Sequence, residues 1–386
     1  MLRSATRILT THVGSLIRPP EIVALLPSRE REPDRWNAAV TSAVTDVVRR
    51  QVEAGIDIVD DGEYSKTGFT AYVSDRLTGF ELRPPPPGQS GMLNVGRDRH
   101  AFADFYREYD AAQPEAQSAG MTAVCVAPIT YRGMATLERD FTNLRAAMVA
   151  SGAVEAFVPA AAPGTIELQR INAYYASEED YLFAIADAMR TEYRAIVDAG
   201  FVLQLDDPRV VVQWDLQDPA PTVKEYRAFM ELRVEALNRA IAGLPRDRVR
   251  YHLCWGSWHG PHTTDIPLAD IVDLVLRVHA GAISVESANA RHAHEWTVWE
   301  RTKLDPDRIL IPGVISHNTN AVEHPELVAQ RIETFARIVG RERVIAGADC
   351  GFAQGAGYRR VHPSIMWAKL RALADGARLA SARLWR

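Results

Sequence analysis

A single-domain (β/α)8 TIM barrel is the fold this sequence predicts, on three observations. Short apolar runs alternate with amphipathic helical stretches, and glycine repeatedly stands between the two. The alternation continues to the C-terminus without a second composition regime, so residues 1–386 are expected to form one catalytic unit. Polar residues gather at the C-terminal ends of the apolar runs, where a barrel places its ligands. A doubly wound sheet shares these features; one continuous barrel is preferred over two domains.

The elements follow in order. Ile8–Val13 is strand-like and is broken by Gly14-Ser15. Trp36–Ala54 has helical spacing of Val40, Val44, Val47, Val48 and Val52, and Gly55 stands at its C-terminal cap. IDIVDDGE is the second strand. Residues 83–100 then lapse into RPPPPGQSGMLNVG and its flanks, an extended Pro-rich surface insertion after the second βα unit. TAVCVAP, a helix over Thr136–Ala147, and VEAFVPA come next. Ser177 with Asp180 resembles a capping box for a helix whose apolar face includes Tyr181, Ile185, Met189 and Ile196. FVLQLDDP, a helix over Val223–Ala242, VRYHLC, a helix from Asp265 and Pro267 through Val278, and AISVE follow. ILIPGVISHN, a helix opened by Pro325 and closed by Gly340, VIAGADC, and a helix over Ser364–Ala380 complete the chain. That makes nine strand-like runs where a barrel needs eight, and VEAFVPA is the one to set aside.

A formal net charge of −5 gives no basic footprint for nucleic acid or an anionic membrane. No uncharged apolar run approaches the roughly 18–20 residues of a membrane span. The N-terminus lacks the apolar stretch of a signal peptide, so a cytoplasmic location is expected. Self-association into a homo-oligomer is left open. Three cysteines make no disulfide framework, and Cys125, inside TAVCVAP, reads as a small buried hydrophobe.

The chemistry concentrates at three strand ends. In VRYHLC, His252 and Cys254 stand two apart, so on a strand both side chains project from the same face. An imidazole beside a thiol suits a borderline-soft metal such as zinc. AISVE ends on Glu286 and VIAGADC on Cys350, completing a four-ligand shell for Zn2+. One nitrogen, two thiolates and a carboxylate make an electron-rich set, poor at activating water but suited to holding an incoming thiol as a nucleophilic thiolate. Glu286, the hardest ligand, is the one expected to yield when the thiol arrives. Ser15, Asp61, Glu63, Asp206, Asp207 and His317 stand at other strand ends and Asp349 beside Cys350, and His259, His262, His279, His292, His294 and His324 are taken as surface or supporting residues.

The segments TTHVGSL, DDGE, QLDDP, HLCWG, VESA, PGVISHN and ADCG, in this order, resemble the catalytic barrel of cobalamin-independent methionine synthase, over about Ile8 to Ala380. The resemblance implies a zinc barrel enzyme moving a methyl group from a folate-like donor, 5-methyltetrahydrofolate, to the sulfur of a homocysteine-like thiol. It places the zinc on His252, Cys254, Glu286 and Cys350. It brings the amino-acid end of the thiol to Ser15, and its ammonium to Glu63 and Asp206. It makes His317 the acid that protonates the departing folate nitrogen. His317 lies one position nearer the Pro-Gly-Val turn than the family's histidine. Three further features depart from the family pattern: Asp206-Asp207-Pro208 replaces DEP, Tyr131 stands where a tryptophan is expected, and the duplicated half of the longer synthases is absent. These touch the folate side more than the zinc side. The alternative is a short relative of the epoxyalkane:coenzyme M transferase type, in which the thiolate opens an epoxide.

Overall fold

The structure, a computed structural model, describes residues 1–84, 96–112 and 121–386. Its strands are β1 (Leu9–Thr10), β2 (Ile58–Val59), β3 (Phe80–Arg83), β4 (Thr122–Cys125), β5 (Glu155–Ala161), β6 (Ile171–Asn172), β7 (Val202–Asp206), β8 (Val249–Leu253), β9 (Ala282–Val285), β10 (Ile309–Ile315) and β11 (Ile345–Ala348). Eight of them form one sheet in the order β1-β11-β10-β9-β8-β7-β5-β2, with parallel pairing throughout. The two end strands meet through bonds beyond the ladder. Thr11 Oγ1 donates to the Ile58 carbonyl at 3.0 Å, and the Asp57 amide donates to the Thr10 carbonyl at 3.2 Å. The sheet is thus nearly closed as a TIM barrel.

Side-chain alternation sorts each strand between two environments. Leu9, Ile58, Phe157, Val202, Ala282, Ile309, Ile311 and Ile345 form a separate apolar plug. Leu203, Leu205, Tyr251, Leu253, Ile283 and Val285 belong instead to the larger core beneath the helices. Further along the inward faces the residues turn polar: Gln204 and Asp206 on β7, Arg250 and His252 on β8, Ser284 on β9. The barrel is sealed by hydrocarbon at one end and chemically equipped at the other.

The helices follow the spacing of their apolar residues. Pro33–Glu53 buries Trp36, Val40, Val44, Val47 and Val48, and starts on a proline whose missing N–H costs nothing in the first turn. Ser177 Oγ accepts from the Asp180 amide at 3.0 Å to start Glu178–Asp198. The reciprocal capping box lies at Thr222 and Glu225, opening Val223–Ala240, where the hydrophobic spacing gave no cue to it.

Three expectations are corrected. The run set aside, VEAFVPA, is barrel strand β5, buried along all seven residues and paired with β2 and β7. TAVCVAP supplies β4, which lies outside the barrel in a three-stranded sheet, antiparallel to β3 and parallel to β6. Both runs are short and apolar, and only the choice of pairing partner separates them. The helix expected from Asp265 through Val278 is a 3-10 turn at Leu268–Asp270 and a single α-turn at Val272–Val275. Asp265 does not cap it because its carboxylate is held by His262 and His292, and Glu295 takes the Leu268 amide.

Of the insertion expected over 83–100, residues 85–95 lie outside the described residues. Arg83 ends β3, and Arg97–Ala101 is a short helix. Its Asp98 accepts from the His262 and Thr263 amides and from the Tyr106 hydroxyl, fixing it against the loop that follows β8. Among the described residues no helix is long and apolar enough to cross a membrane.

Candidate metal and substrate site

The ladder register places the site. Asp206 on β7 lies level with His252 on β8, and His252 lies level with Ser284 on β9. Ser284 Oγ and His252 Nδ1 are 3.1 Å apart, which occupies that nitrogen and leaves Nε2 buried with no partner. Cys254 continues the inward face of β8, and Cys350 follows the end of β11, which puts their sulfurs 3.5 Å apart. The ligand atoms of His252, Cys254 and Cys350 all lie within 4.8 Å of one another, a group able to hold a metal ion.

Two thiols this close share a proton rather than both ionise. The contact between them raises the Cys254 thiol and, with His252, holds Cys350 well below the usual thiol range. Ser257 Oγ donates to the Cys350 sulfur at 3.4 Å. Glu286 is not one of the three clustered ligands. Its Oε2 accepts from Asn289, and its Oε1 is buried without a partner. Burial, then the charges of Asp349 and Cys350, push its carboxyl far up. Asp349 ties this segment to the end of β11: its Oδ1 accepts from both the Ser287 and Ala288 amides at 2.8 Å. An orphaned imidazole nitrogen beside two sulfurs in contact, with an orphaned carboxylate oxygen on the neighbouring strand end, is a donor set whose chemistry suits a soft cation.

Above these ligands opens a cavity of about 340 Å3, lined by Ser15, Glu63, Asp206, His252, Cys254 and Cys350 among others. Gly351 lets Ser15 stand against the Cys350 loop, since a Cβ there would lie 2.3 Å from Ser15 Oγ. The Phe352 amide donates to the Ser15 carbonyl at 2.7 Å. Glu63 is aimed by a strained backbone. Its φ is +59°, a left-handed conformation that costs a non-glycine residue about 1 kcal/mol or more. Asp61 Oδ1 supports the turn by accepting the Glu63 amide at 2.8 Å.

Glu63 is already half-paired. Buried Lys66 lies 3.2 Å from its Oε1, while Oε2 has no partner. Asp206 Oδ1 accepts from Gln204 at 2.7 Å, but burial and the charges of Glu63 and Cys350 raise its carboxyl well above the usual range. Asp207 turns away from the cavity to Thr165 and Tyr251, where it is structural. His317 is buried with both ring nitrogens unpartnered and is not a lining residue of the cavity. Burial lowers it to about 4, so the ring is neutral at pH 7.

Other residues of the wall carried no signal in the strand-end pattern: Arg209, Ser257, Trp258, Gln354, Tyr358 and Arg360. Lys66 was legible only as a charge three residues after Glu63. Cys125 is buried in the core, as expected. Of the histidines taken as surface or supporting, His292 is buried between Asp265 and Glu295, and its ring stacks on Trp255 at 4.1 Å.

Residues 120–369 match the sequence model of the cobalamin-independent synthase catalytic domain. The chain belongs to the cobalamin-independent synthase family. A methionine synthase of Thermococcus kodakarensis is 25% identical over 346 residues, covering 89% of this chain and 86% of the relative. One of Saccharolobus solfataricus is 23% identical over 383 residues, covering 98% and 96%. A 5-methyltetrahydropteroyltriglutamate–homocysteine methyltransferase of a Synechococcus strain matches at 21% identity, and there this chain spans only 40% of the relative's length. The fold is that of a B12-independent methionine synthase from Shewanella sp. W3-18-1 solved with selenomethionine, with a TM-score of 0.74, 19% identity, and 98% and 99% of the two chains covered. This member of the synthase family is a methyltransferase.

Proposed function

We propose that the protein is a zinc-dependent thiol S-methyltransferase, carrying a methyl group from 5-methyltetrahydrofolate or a similar donor to homocysteine and forming methionine. In this reading residues 1–386 act as one catalytic domain in the cytoplasm, with two small molecules as its partners. The observation that carries it is the buried His252, Cys254 and Cys350 group opening into a cavity that also exposes Ser15, Glu63 and Asp206.

Zinc fits the donor set. Two thiolates about 2.3 Å from a tetrahedral zinc ion would stand roughly 3.8 Å apart, close to the 3.5 Å between these sulfurs. His252 Nε2 supplies the nitrogen, and Glu286 Oε1, free and buried, is the fourth candidate. When bound, zinc lowers the pKa of a thiol and fixes its sulfur.

The chain's own groups handle the rest. The free oxygen of Glu63 and the carboxyl of Asp206 receive the substrate ammonium, whose arrival favours ionisation of Asp206. Ser15 Oγ, at the rim, is placed for the carboxylate end. The hydrocarbon of Val13, Phe69 and Trp258 keeps water from the reacting sulfur. Transfer forms a sulfur–carbon bond, breaks a carbon–nitrogen bond and leaves a proton to be delivered to the donor nitrogen. His317 is the candidate for that proton on residue type and its two free nitrogens. Its low pKa requires that donor binding raise it.

Product analysis tests the reading. Zinc-loaded protein with homocysteine and monoglutamyl methyltetrahydrofolate is expected to yield methionine. Calorimetry in which 2-mercaptoethanesulfonate binds and homocysteine does not would replace it with thiol alkylation of the epoxyalkane type.

A further inference from the structure

Six arginines are buried among the described residues: Arg18, Arg76, Arg209, Arg233, Arg250 and Arg308. Five have occupied guanidinium groups. Arg18 donates to the carbonyls of Glu63, Lys66 and Ala353, and Arg308 to those of Leu276 and Val278. Arg76 pairs with Asp140 and Glu192, Arg233 with Glu167, and Arg250 donates to Gln204, Thr11 and the His12 carbonyl. Arg209 is the exception. Its backbone amide bonds Thr165, but its side chain donates to no described residue, and its Nε is buried without a partner.

The arginine stands on the cavity wall, in the first turn of the helix that follows β7. Burial lowers it to about 10, and among the described groups only the Tyr226 phenol opposes that. Neither Glu63 nor Asp206 acts on it, so it is not the counter-charge of the acids that face the thiol. Arg360 lines the same cavity from the loop after β11; its Nη1 donates to the Tyr109 hydroxyl at 2.9 Å, and its Nε is also without a partner.

A guanidinium withdrawn from water with no counter-charge is strongly unfavourable. Placing one on a cavity wall is physically accounted for by an anion that arrives with a substrate, and its planar fork matches an oxyanion. We propose that Arg209, assisted by Arg360, forms a subsite for a carboxylate on the methyl donor, apart from the acids that receive the thiol. The inference rests on the methyltransferase reading for its choice of donor, but its test does not require turnover.

The probe is N-(4-aminobenzoyl)-L-glutamate, the anionic tail of a folate without its methyl group, titrated into zinc-loaded protein. Wild-type protein is expected to bind it, and Arg209→Gln to bind it at least tenfold more weakly, with homocysteine binding unchanged. Arg209→Lys is expected to fall between the two. Equal binding by wild type and Arg209→Gln, or no binding by wild type, overturns the proposal. So does a loss confined to 2-mercaptoethanesulfonate, which would assign the arginine to a sulfonate-bearing thiol. A second readout is independent of any ligand. Arg209→Met removes a buried charge that has no counter-charge among the described residues and is expected to raise the melting temperature of the ligand-free protein, whereas a lowered one would mark a structural arginine. Methionine formation with homocysteine is scored separately, so its failure leaves this outcome readable.

Discussion

Two buried polar clusters of this barrel are both built around carboxylates and behave oppositely. In the first, Arg76 lies 2.8 Å from Asp140 and 3.5 Å from Glu192, and Glu192 also accepts from Tyr72 at 2.9 Å and Tyr131 at 2.7 Å. No side-chain nitrogen or oxygen of these five residues is buried without a partner. In the second, at the barrel mouth, His252 Nε2, Glu286 Oε1, Glu63 Oε2 and Asp349 Oδ2 are all buried and unsatisfied. A paired cluster holds the fold; an unpaired one is kept because something else completes it. The strained Glu63 backbone belongs to the second kind.

That contrast breaks or sharpens under mutation, most sharply at the sulfurs. Cys254→Ser and Cys350→Ser should each abolish bound metal and lower turnover by about a thousandfold or more, with the far-ultraviolet dichroism retained. Metal retained at wild-type stoichiometry in either variant, read by elemental mass spectrometry, would remove the cation from the account of the mouth. In the paired cluster the damage should fall on stability instead. Glu192→Ala takes one of the two carboxylates from Arg76 and the acceptor from two tyrosine hydroxyls, and should cost about 3–5 kcal/mol in urea unfolding, with metal content unchanged. A loss below about 1 kcal/mol would show that this cluster does not hold the fold.

A third test uses His292, which joins the region behind the site to its surroundings. Burial alone would lower its pKa, but hydrogen bonds to Asp265 and Glu295 override it and raise it to about 9. A histidine with a raised folded-state pKa contributes stability that is fully present below pH 6.5 and lost as pH rises through about 9. The contribution is of the order of 3 kcal/mol. The wild type should lose that much more stability than His292→Gln between pH 6.5 and 9, and parallel unfolding profiles would refute the assignment. The smallest effect is expected at Ser284→Ala. Freeing His252 Nδ1 should weaken metal affinity by about 10–100-fold while leaving the melting temperature of the metal-free protein nearly unchanged; chelator competition measures it.

Legibility in the sequence followed the range of the interaction concerned. His252 and Cys254 share one strand, so alternation alone put them on one face. The long helices were legible from valine and leucine spacing. The assignment of β4 and β5 was not, because two short apolar runs differ only in the strands they pair with, and those partners lie far away in the chain. The broken helix after Asp265 has the same cause in part: nearby His262 and distant His292 and Glu295 claim the groups that would have capped and continued it. Neither the pairing of Lys66 with Glu63 nor an Arg209 side chain without a partner among the described residues follows from a local pattern.

By itself, then, the sequence determined a repeating strand and helix chain with soft ligands and acids at its strand ends, since periodicity and residue chemistry are local properties. Only the tertiary structure decided which strands close the barrel, that the two sulfurs touch, and which buried charges are left unmatched. Those depend on register and on burial, and both are set by the whole barrel at once.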